Sequence, residues 1–396
     1  MNALTIVGGV YHESCVWPGW DHLYGSGGRA AAAAASHVGS IALHSYAPKE
    51  TATAFAPYAA MYGFTFDCVD ADQTISFDYV HTLSIPQVNP PPVRIRSHPP
   101  IVVQADVVLR FGMMEGTAVV TAERCVYDPQ SAFAPEKFAA NGSSTAHLAI
   151  VGNRGEIAAM GGDPDQTAAA RNLLRAGAEV VIIKSGPLGA VVVQASGVNE
   201  VPAYQTNRVW KLGSGDVFAA LFAARWGVHG DPVTEAARLA SKAVAEYAES
   251  MSLPVPTEQE LRTANRPEAK ALAGRVYLAG PFFTLAQRWL VDEARRCLRE
   301  MGLDVLSPLH DIGLGPGSVV APADLAGLQG CEVVFALVDG IDSGTIFEIG
   351  YARARGMPVY ALAQNTSDQD LKMIEGSGCK VFDDFVTAIH HCAWRA

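Results

Sequence analysis

Short apolar, β-branched runs alternate with Ala-rich helical runs across residues 1–255. The apolar runs predict strands at Thr5–Val7, Ile41–Ser45, Val107–Leu109, Ala146–Ile150, Val180–Lys184 and Ala190–Val193. Helical spacing predicts helices at Arg29–His37, Asp165–Ala176, Asp216–Trp226 and Val233–Ser250. Strands alternating with helices imply a largely parallel sheet covered on both faces, an α/β fold. The run Ala30–Ala35 reads as a packed helix, because alanine has the strongest helix propensity. Residues 74–104 break the pattern: polar and apolar positions alternate, followed by Pro90-Pro91-Pro92 and Pro99-Pro100. An edge hairpin or loop near the sheet rim is expected there. The chain then turns polar around Pro254, Pro256 and Pro267, which predicts a linker over 256–273 between domains at 1–255 and 274–396. In the second domain Val333–Val338 reads as a buried parallel strand, leading through Gly344 into a helix that starts near Thr345.

At 396 residues, length alone favours two or three domains. With 49% hydrophobic and 17% charged residues, large sheets buried between helices are expected and wholesale disorder is excluded. A net charge of −11 and the lack of any long Lys/Arg run argue against a nucleic-acid polymer as partner. The 7 cysteines are dispersed without a CxxC pair, so reduced thiols are expected and not a disulfide frame or zinc site. No basic n-region precedes the first strand and no apolar run approaches about 18 residues, so neither a leader nor a membrane span is expected and the cytoplasm is the expected location.

The candidate chemistry is densest in Asp342-Ser343-Gly344-Thr345-Ile346-Phe347-Glu348-Ile349-Gly350. An acid just inside a helix N-terminus, beyond the carboxyl end of a parallel strand, lies where open α/β sheets hold ligands. Glu348 is a candidate nucleophile or base, and Asp342 can line the same crevice. Taken alone, the two also fit an ordinary helix-start acid and loop acid. Together with Tyr277-Leu278-Ala279-Gly280-Pro281-Phe282-Phe283 and Ala323-Asp324-Leu325-Ala326-Gly327-Leu328, the tract resembles the nucleoside 2-deoxyribosyltransferase family over residues 274–396. The resemblance implies a flavodoxin/Rossmann-like parallel-sheet domain that needs no cofactor. It makes Glu348 the nucleophile on the anomeric carbon, with Tyr277 orienting it. Asp324 would contact the base and supply or relay its proton, although the pattern also fits an N-cap for a helix over 325–329. Asp342 would hold the 5′-hydroxyl, with Gly280, Phe282, Phe283, Ser343 and Gly344 in the substrate pocket. Family members complete their sites across subunits, which implies a homo-oligomer. His310 and Asp311 fall on a loop that either lines the pocket or meets solvent, and Arg353 and Arg355 are expected to be solvated.

A second signal is Lys211-Leu212-Gly213-Ser214-Gly215-Asp216-Val217-Phe218, ahead of an Ala-rich helix. Glycines before a helix leave N–H groups free for an anion, and an acid in the first turn can take a proton beside it. A glycine-hinged helix capped by Asp216 fits the same spacing. The segment resembles the second signature of the ribokinase-like (PfkB) sugar and nucleoside kinases, which implies a doubly wound domain using ATP and Mg2+. Asp216 would be its base, and Gly213, Ser214 and Gly215 its phosphate cradle. Gly25-Ser26-Gly27-Gly28-Arg29 resembles the first signature, placing Gly27 and Gly28 at the acceptor. Asn153-Arg154-Gly155-Glu156 matches an Asn-x-x-Glu motif that places magnesium and phosphate. Lys184-Ser185-Gly186-Pro187-Leu188-Gly189-Ala190 resembles the nucleotide-side strand and turn, with Lys184 and Gly186 as contacts. The chain departs from the family pattern in two places. Alanine stands near Ala32 where an asparagine usually meets sugar hydroxyls, and Glu13 aligns with an early aspartate that binds the sugar. His12 and His22 are further candidates for the acceptor pocket. The expected protein is a bifunctional enzyme acting on small nucleosides, nucleobases or pentoses. One half would cleave or exchange an N-glycosidic bond, and the other would phosphorylate a hydroxyl. The alternatives are an N-glycoside hydrolase with a non-catalytic kinase-like half, and a nucleotide sensor.

Overall fold

The computed structural model describes residues 2–131, 134–271 and 274–395. They fall into two compact units, Met1–Glu268 and Ala269–Ala396. The polar stretch after Leu253 contributes Val255 and Leu261 to the core of the first unit.

The first unit is built on a nine-stranded sheet. In spatial order its strands are Gly197–Val201, Ala190–Gln194, Val180–Lys184, Ser144–Asn153, Ala118–Asp128, Ile101–Phe111, Ala3–Val7, Ser40–Ala47 and Thr65–Asp70. The first two pairings are antiparallel and the others parallel. Alternate residues feed two apolar clusters. Ile6, Leu109, Val126 and Val151 enter one, while Val7, Val108, Cys125 and Ile150 enter the other. That period of two buries both faces, as a doubly wound sheet requires. Register brings Phe111 opposite Asp128 and Asn153 opposite Lys184, so polar side chains collect at the carboxyl ends of the strands.

Two sequence expectations change here. Residues 74–104 do not form one hairpin at the rim. Ser76–Tyr79 and Gln87–Asn89 pair within a separate four-stranded sheet with His12–Cys15 and Trp20–Leu23, and Ile101–Phe111 is an interior strand of the main sheet. The strand Ala118–Asp128 escapes the sequence pattern because its first half alternates with polar residues and only its second half is continuously buried.

The helix around the alanine run spans Gly25–Ala34, four residues earlier than its spacing suggests, and all ten of its residues are buried. It crosses the backbone closely. A Cβ at Gly27 would lie 2.6 Å from the carbonyl oxygen of Gly8. Small residues are therefore a packing requirement along this helix.

The second unit has a five-stranded sheet, all parallel. Its spatial order is Asp304–Leu306, Arg275–Ala279, Val333–Leu337, Val359–Leu362 and Lys380–Phe382. Helices Leu285–Glu300, Gly317–Gln329, Ser343–Ala354, Asp368–Gly376 and Phe385–Ala393 surround it. Chain order across the sheet is 2-1-3-4-5, the flavodoxin-like arrangement, whose ligand crevice lies beyond the first and third strands. Those strands end at Ala279 and Leu337. Among the described residues no helix is long and apolar enough to cross a membrane.

Replacing Ala33, which is wholly buried, by leucine should destabilise the first unit by about 1–3 kcal/mol through overpacking. Thermal unfolding followed by circular dichroism measures this, and an unchanged transition would show that the helix has room to move.

Candidate active sites

In the second unit, Tyr277 sits on the strand Arg275–Ala279 with its side chain wholly enclosed. Its hydroxyl donates to Oε1 of Glu348 at 2.6 Å. Glu348 is half-buried, six residues beyond Asp342, on the helix Ser343–Ala354. Burial pushes its carboxyl up to about 7, the Tyr277 hydrogen bond pulls it down, and the charges of Asp324 and Asp342 push it up further. Close to neutrality this group is part acid and part carboxylate.

Asp342 is the N-cap of that helix, which begins two residues before the expected start. Its Oδ2 accepts from Thr345 N at 2.8 Å and from Thr345 Oγ1 at 3.0 Å. Nucleophile candidate and cap therefore share one helix end. Asp324 does not start a helix over 325–329. It lies inside the helix Gly317–Gln329, so a capping role is excluded. Burial raises its pKa, and its Oδ1 is buried without a hydrogen-bond partner. Gly280 directly follows the Tyr277 strand, and Ser343 and Gly344 form the exposed first turn of the Glu348 helix. Phe282 is half-buried and Phe283 exposed, with ring centres 5.4 Å apart, so neither is core packing.

Other candidates are engaged elsewhere. His310 bonds Ser307 at 2.9 Å and Asp292 at 2.7 Å, and Asp311 pairs with Arg295 at 3.5 Å. Arg353 is not simply solvated. It is half-buried and donates to the carbonyls of Met357 and Ser377. Sequence reasoning missed Asp339, just past the central strand. It accepts from the backbone N–H groups of Gln364 and Asn365 and from Thr366 Oγ1, fastening the neighbouring loop. Its signal was only its place after a parallel strand.

In the first unit, Asp216 lies in the first turn of the helix Ser214–Phe222, behind Gly213 in the left-handed region at φ 73°. A Cβ at Gly213 would come within 2.1 Å of Arg29 Nε, so this glycine lets a guanidinium pass. Arg29 Nη1 donates to Asp216 Oδ2 at 2.9 Å and to Glu13 Oε1 at 3.1 Å, while Nη2 donates to Glu13 Oε2. The other oxygen of Asp216 accepts from Gln130 Nε2 at 2.9 Å. Burial raises the pKa of Glu13 against the opposing pull of Arg29.

Beside this cluster, Lys184 pairs with buried Asp128 at 2.5 Å, and a Cβ on Gly215 would lie 3.3 Å from its Nζ. Lys211 donates to Ser214 Oγ at 2.8 Å, and burial together with the nearby Lys184 charge pushes it down to about 8. Asn153 and Glu156 form a reciprocal capping box at the next helix. Asn153 N donates to Glu156 Oε2 at 2.7 Å, and Glu156 N donates to Asn153 Oδ1 at 2.9 Å. Oδ1 of Asp128 is buried without a hydrogen-bond partner, and one Glu156 oxygen lies outside the capping box; both are ligands of the kind a hard divalent cation takes.

Gly27 and Gly28 are buried in the helix Gly25–Ala34, and Gly186 occupies a short turn after the Lys184 strand. Ala32 is wholly buried and presents no polar atom. His12 pairs with Asp21 at 2.6 Å, and His22 packs on Trp20. The roles of Arg29, Gln130, Asp128 and Lys211 were missed. Arg29 stood inside a quoted motif, whereas nothing local marks Gln130.

The profile of the pfkB family carbohydrate kinases matches residues 120–258, and that of nucleoside 2-deoxyribosyltransferase matches residues 276–384. Among solved structures, ribokinase from Thermotoga maritima is 16% identical with TM-score 0.47, over 66% of this chain and 98% of that one. A pyrophosphate-dependent kinase in the ribokinase family, complexed with a pyrophosphate analog and myo-inositol, is 14% identical with TM-score 0.46, over 66% of this chain and 100% of that one. Phosphofructokinase-2 from Escherichia coli with potassium is 15% identical with TM-score 0.44, over 66% and 97%. No curated protein matches the chain. The chain thus joins a pfkB family carbohydrate-kinase region to a nucleoside 2-deoxyribosyltransferase region.

Proposed function

We propose that the second unit breaks or exchanges the N-glycosidic bond of a nucleoside through a covalent intermediate on Glu348. One observation carries this reading: the 2.6 Å hydrogen bond from enclosed Tyr277 to Glu348, with Asp324 and Asp342 close enough to raise the carboxyl of Glu348. Tyr277 fixes which oxygen is held and leaves the other to attack C1′. As the C1′–O bond forms, the C1′–N bond breaks, and the departing base takes a proton from Asp324, an acid that burial keeps protonated above its usual range. A second base or water then attacks C1′ and frees Glu348. Asp342 keeps Oδ1 clear of the cap, free to accept from the 5′-hydroxyl of the sugar.

For the first unit we propose phosphoryl transfer from ATP to a hydroxyl of a sugar or nucleoside, with Asp216 as base. Lys184, Lys211 and the amides of Gly213–Gly215 would meet the phosphates. Asp128 and Glu156 would hold magnesium, which neutralises phosphate charge when bound. Asp342 favours glycosidic chemistry on an unphosphorylated nucleoside first. A second reading, in which the first unit only binds nucleotide, is favoured by the pairing of Arg29 with both pocket carboxylates. ATP consumption across a panel of nucleosides and pentoses separates the two: tight ATP binding without turnover would support the binding role.

Three outcomes follow. Glu348→Gln should lower base release by about three orders of magnitude or more, and intact-mass measurement of the wild type with a slow 2′-fluoro nucleoside should show the glycosyl adduct. Full activity in the variant sinks the proposal. Base release should rise with pH through about 7 as Glu348 ionises. Tyr277→Phe should move that limb to higher pH, since the lost hydrogen bond favoured the carboxylate; a limb that stays put removes Tyr277 from the mechanism. Finally, a 5′-phosphate beside Asp342 costs a few kcal/mol at an effective dielectric near 20. Nucleosides should therefore exceed their 5′-monophosphates in kcat/KM by about ten-fold or more, and equal rates would remove Asp342 from the sugar site.

A further inference from the structure

The acceptor seat of the first unit contains two buried carboxylates, Glu13 and Asp216, and every carboxylate oxygen already accepts a hydrogen bond. The donors differ sharply in how easily they can leave. Arg29 is 1% exposed, holds both carboxylates, passes against Gly213 where no side chain fits, and lies 5.5 Å from the ring centre of Tyr24. Withdrawing it would leave two buried carboxylates without the cation that hydrogen-bonds them both, a strongly destabilising change. Gln130 is neutral, exposed and bonded to Asp216 through one contact. Its backbone sits at φ 53°, a conformation that costs energy for a residue other than glycine.

We propose that Gln130 is the displaceable cover of the acceptor seat and Arg29 its fixed floor, so that the acceptor reaches Asp216 through Oδ1 alone. An acceptor hydroxyl takes the place of the Gln130 amide and donates to Oδ1. As its oxygen bonds the terminal phosphorus of a nucleoside triphosphate, its proton passes to Oδ1, the bond from phosphorus to the nucleoside diphosphate breaks, and Asp216 later releases the proton to water. With both Glu13 oxygens held by Arg29, the seat suits an acceptor that enters hydroxyl-first and meets a single carboxylate oxygen. Gln130 is then a specificity-setting residue that competes with substrate without touching the transferred group. The inference rests on the kinase reading of this unit.

The test uses the full chain with ATP and a panel of ribose, 2-deoxyribose and 2′-deoxynucleosides, in wild type, Gln130→Ala, Gln130→Gly and Asp216→Asn. The glycine variant separates loss of the amide from the strained backbone. Loss of one neutral competing hydrogen bond should lower acceptor KM roughly five-fold in both Gln130 variants, with kcat within about two-fold, while Asp216→Asn loses transfer by about 100-fold or more. Wild-type transfer that depends on Asp216, together with unchanged KM in both Gln130 variants, overturns the role of Gln130 and leaves the kinase reading standing. No transfer by the wild type to any acceptor, or transfer that survives Asp216→Asn, overturns the kinase reading and this inference with it.

Discussion

A carboxylate buried at the mouth of a parallel sheet must find a partner, because water can no longer solvate it. The nature of that partner decides what chemistry is left to it. In the second unit the partner is a neutral hydroxyl. Tyr277 lowers the pKa of Glu348 without cancelling its charge, burial raises it, and the outcome lies near neutrality. In the first unit the partner is a full cation. Arg29 takes up three of the four oxygens of Glu13 and Asp216. One arrangement produces a group poised between two protonation states, and the other produces a rigid ionic floor.

Much of this was legible in the chain. The strands Thr5–Val7 and Val333–Val338 announce themselves by continuous apolar runs, since both faces of a doubly wound sheet are covered. Glu348 could be singled out because it lies in a short tract that runs from a buried strand through a glycine into a helix, whereas Tyr277 and Asp324 stood out only through the family resemblance of their motifs. Asp342 was visible too, although its duty as a cap required backbone geometry. The sequence was silent where position depends on long-range register. Gln130 reaches Asp216 across 86 residues of chain, and Asp339 holds a loop 25 residues away. Neither has a periodic or motif signature. Asp324 misled locally, because an acid before a leucine-rich run looks like a cap; the helix begins earlier, at Gly317, and continues through Pro322.

The alanine run shows how a low-complexity stretch can bring a buried ion pair together. Its side chains are the smallest that keep a helix, and they let the helix Gly25–Ala34 lie against backbone at Gly8. That close approach carries Arg29 into the interior, to Glu13 and the first turn of the Asp216 helix. A bulkier helix would stand further off and could not deliver the guanidinium. Ala32 stands where the family resemblance leads one to expect a polar residue, and the buried carboxylates of this pocket are held by the Arg29 ion pairs.

The two proposed chemistries also constrain each other. Glycosidic exchange with Asp342 at the sugar's 5′ end, as proposed, would select substrates whose 5′-hydroxyl is free, because a phosphate there would face the Asp342 carboxyl group. A phosphoryl-transfer seat offering one carboxylate oxygen selects an acceptor that can present one hydroxyl. On that proposal a nucleoside released by the first chemistry would meet the demand of the second, whereas a nucleotide made by the second would be a poor substrate for the first. Phosphorylation in this sequence removes the product from the reversible exchange. If both activities are present, the direction of flow is then set by electrostatics at Asp342 and does not require any contact between the sites.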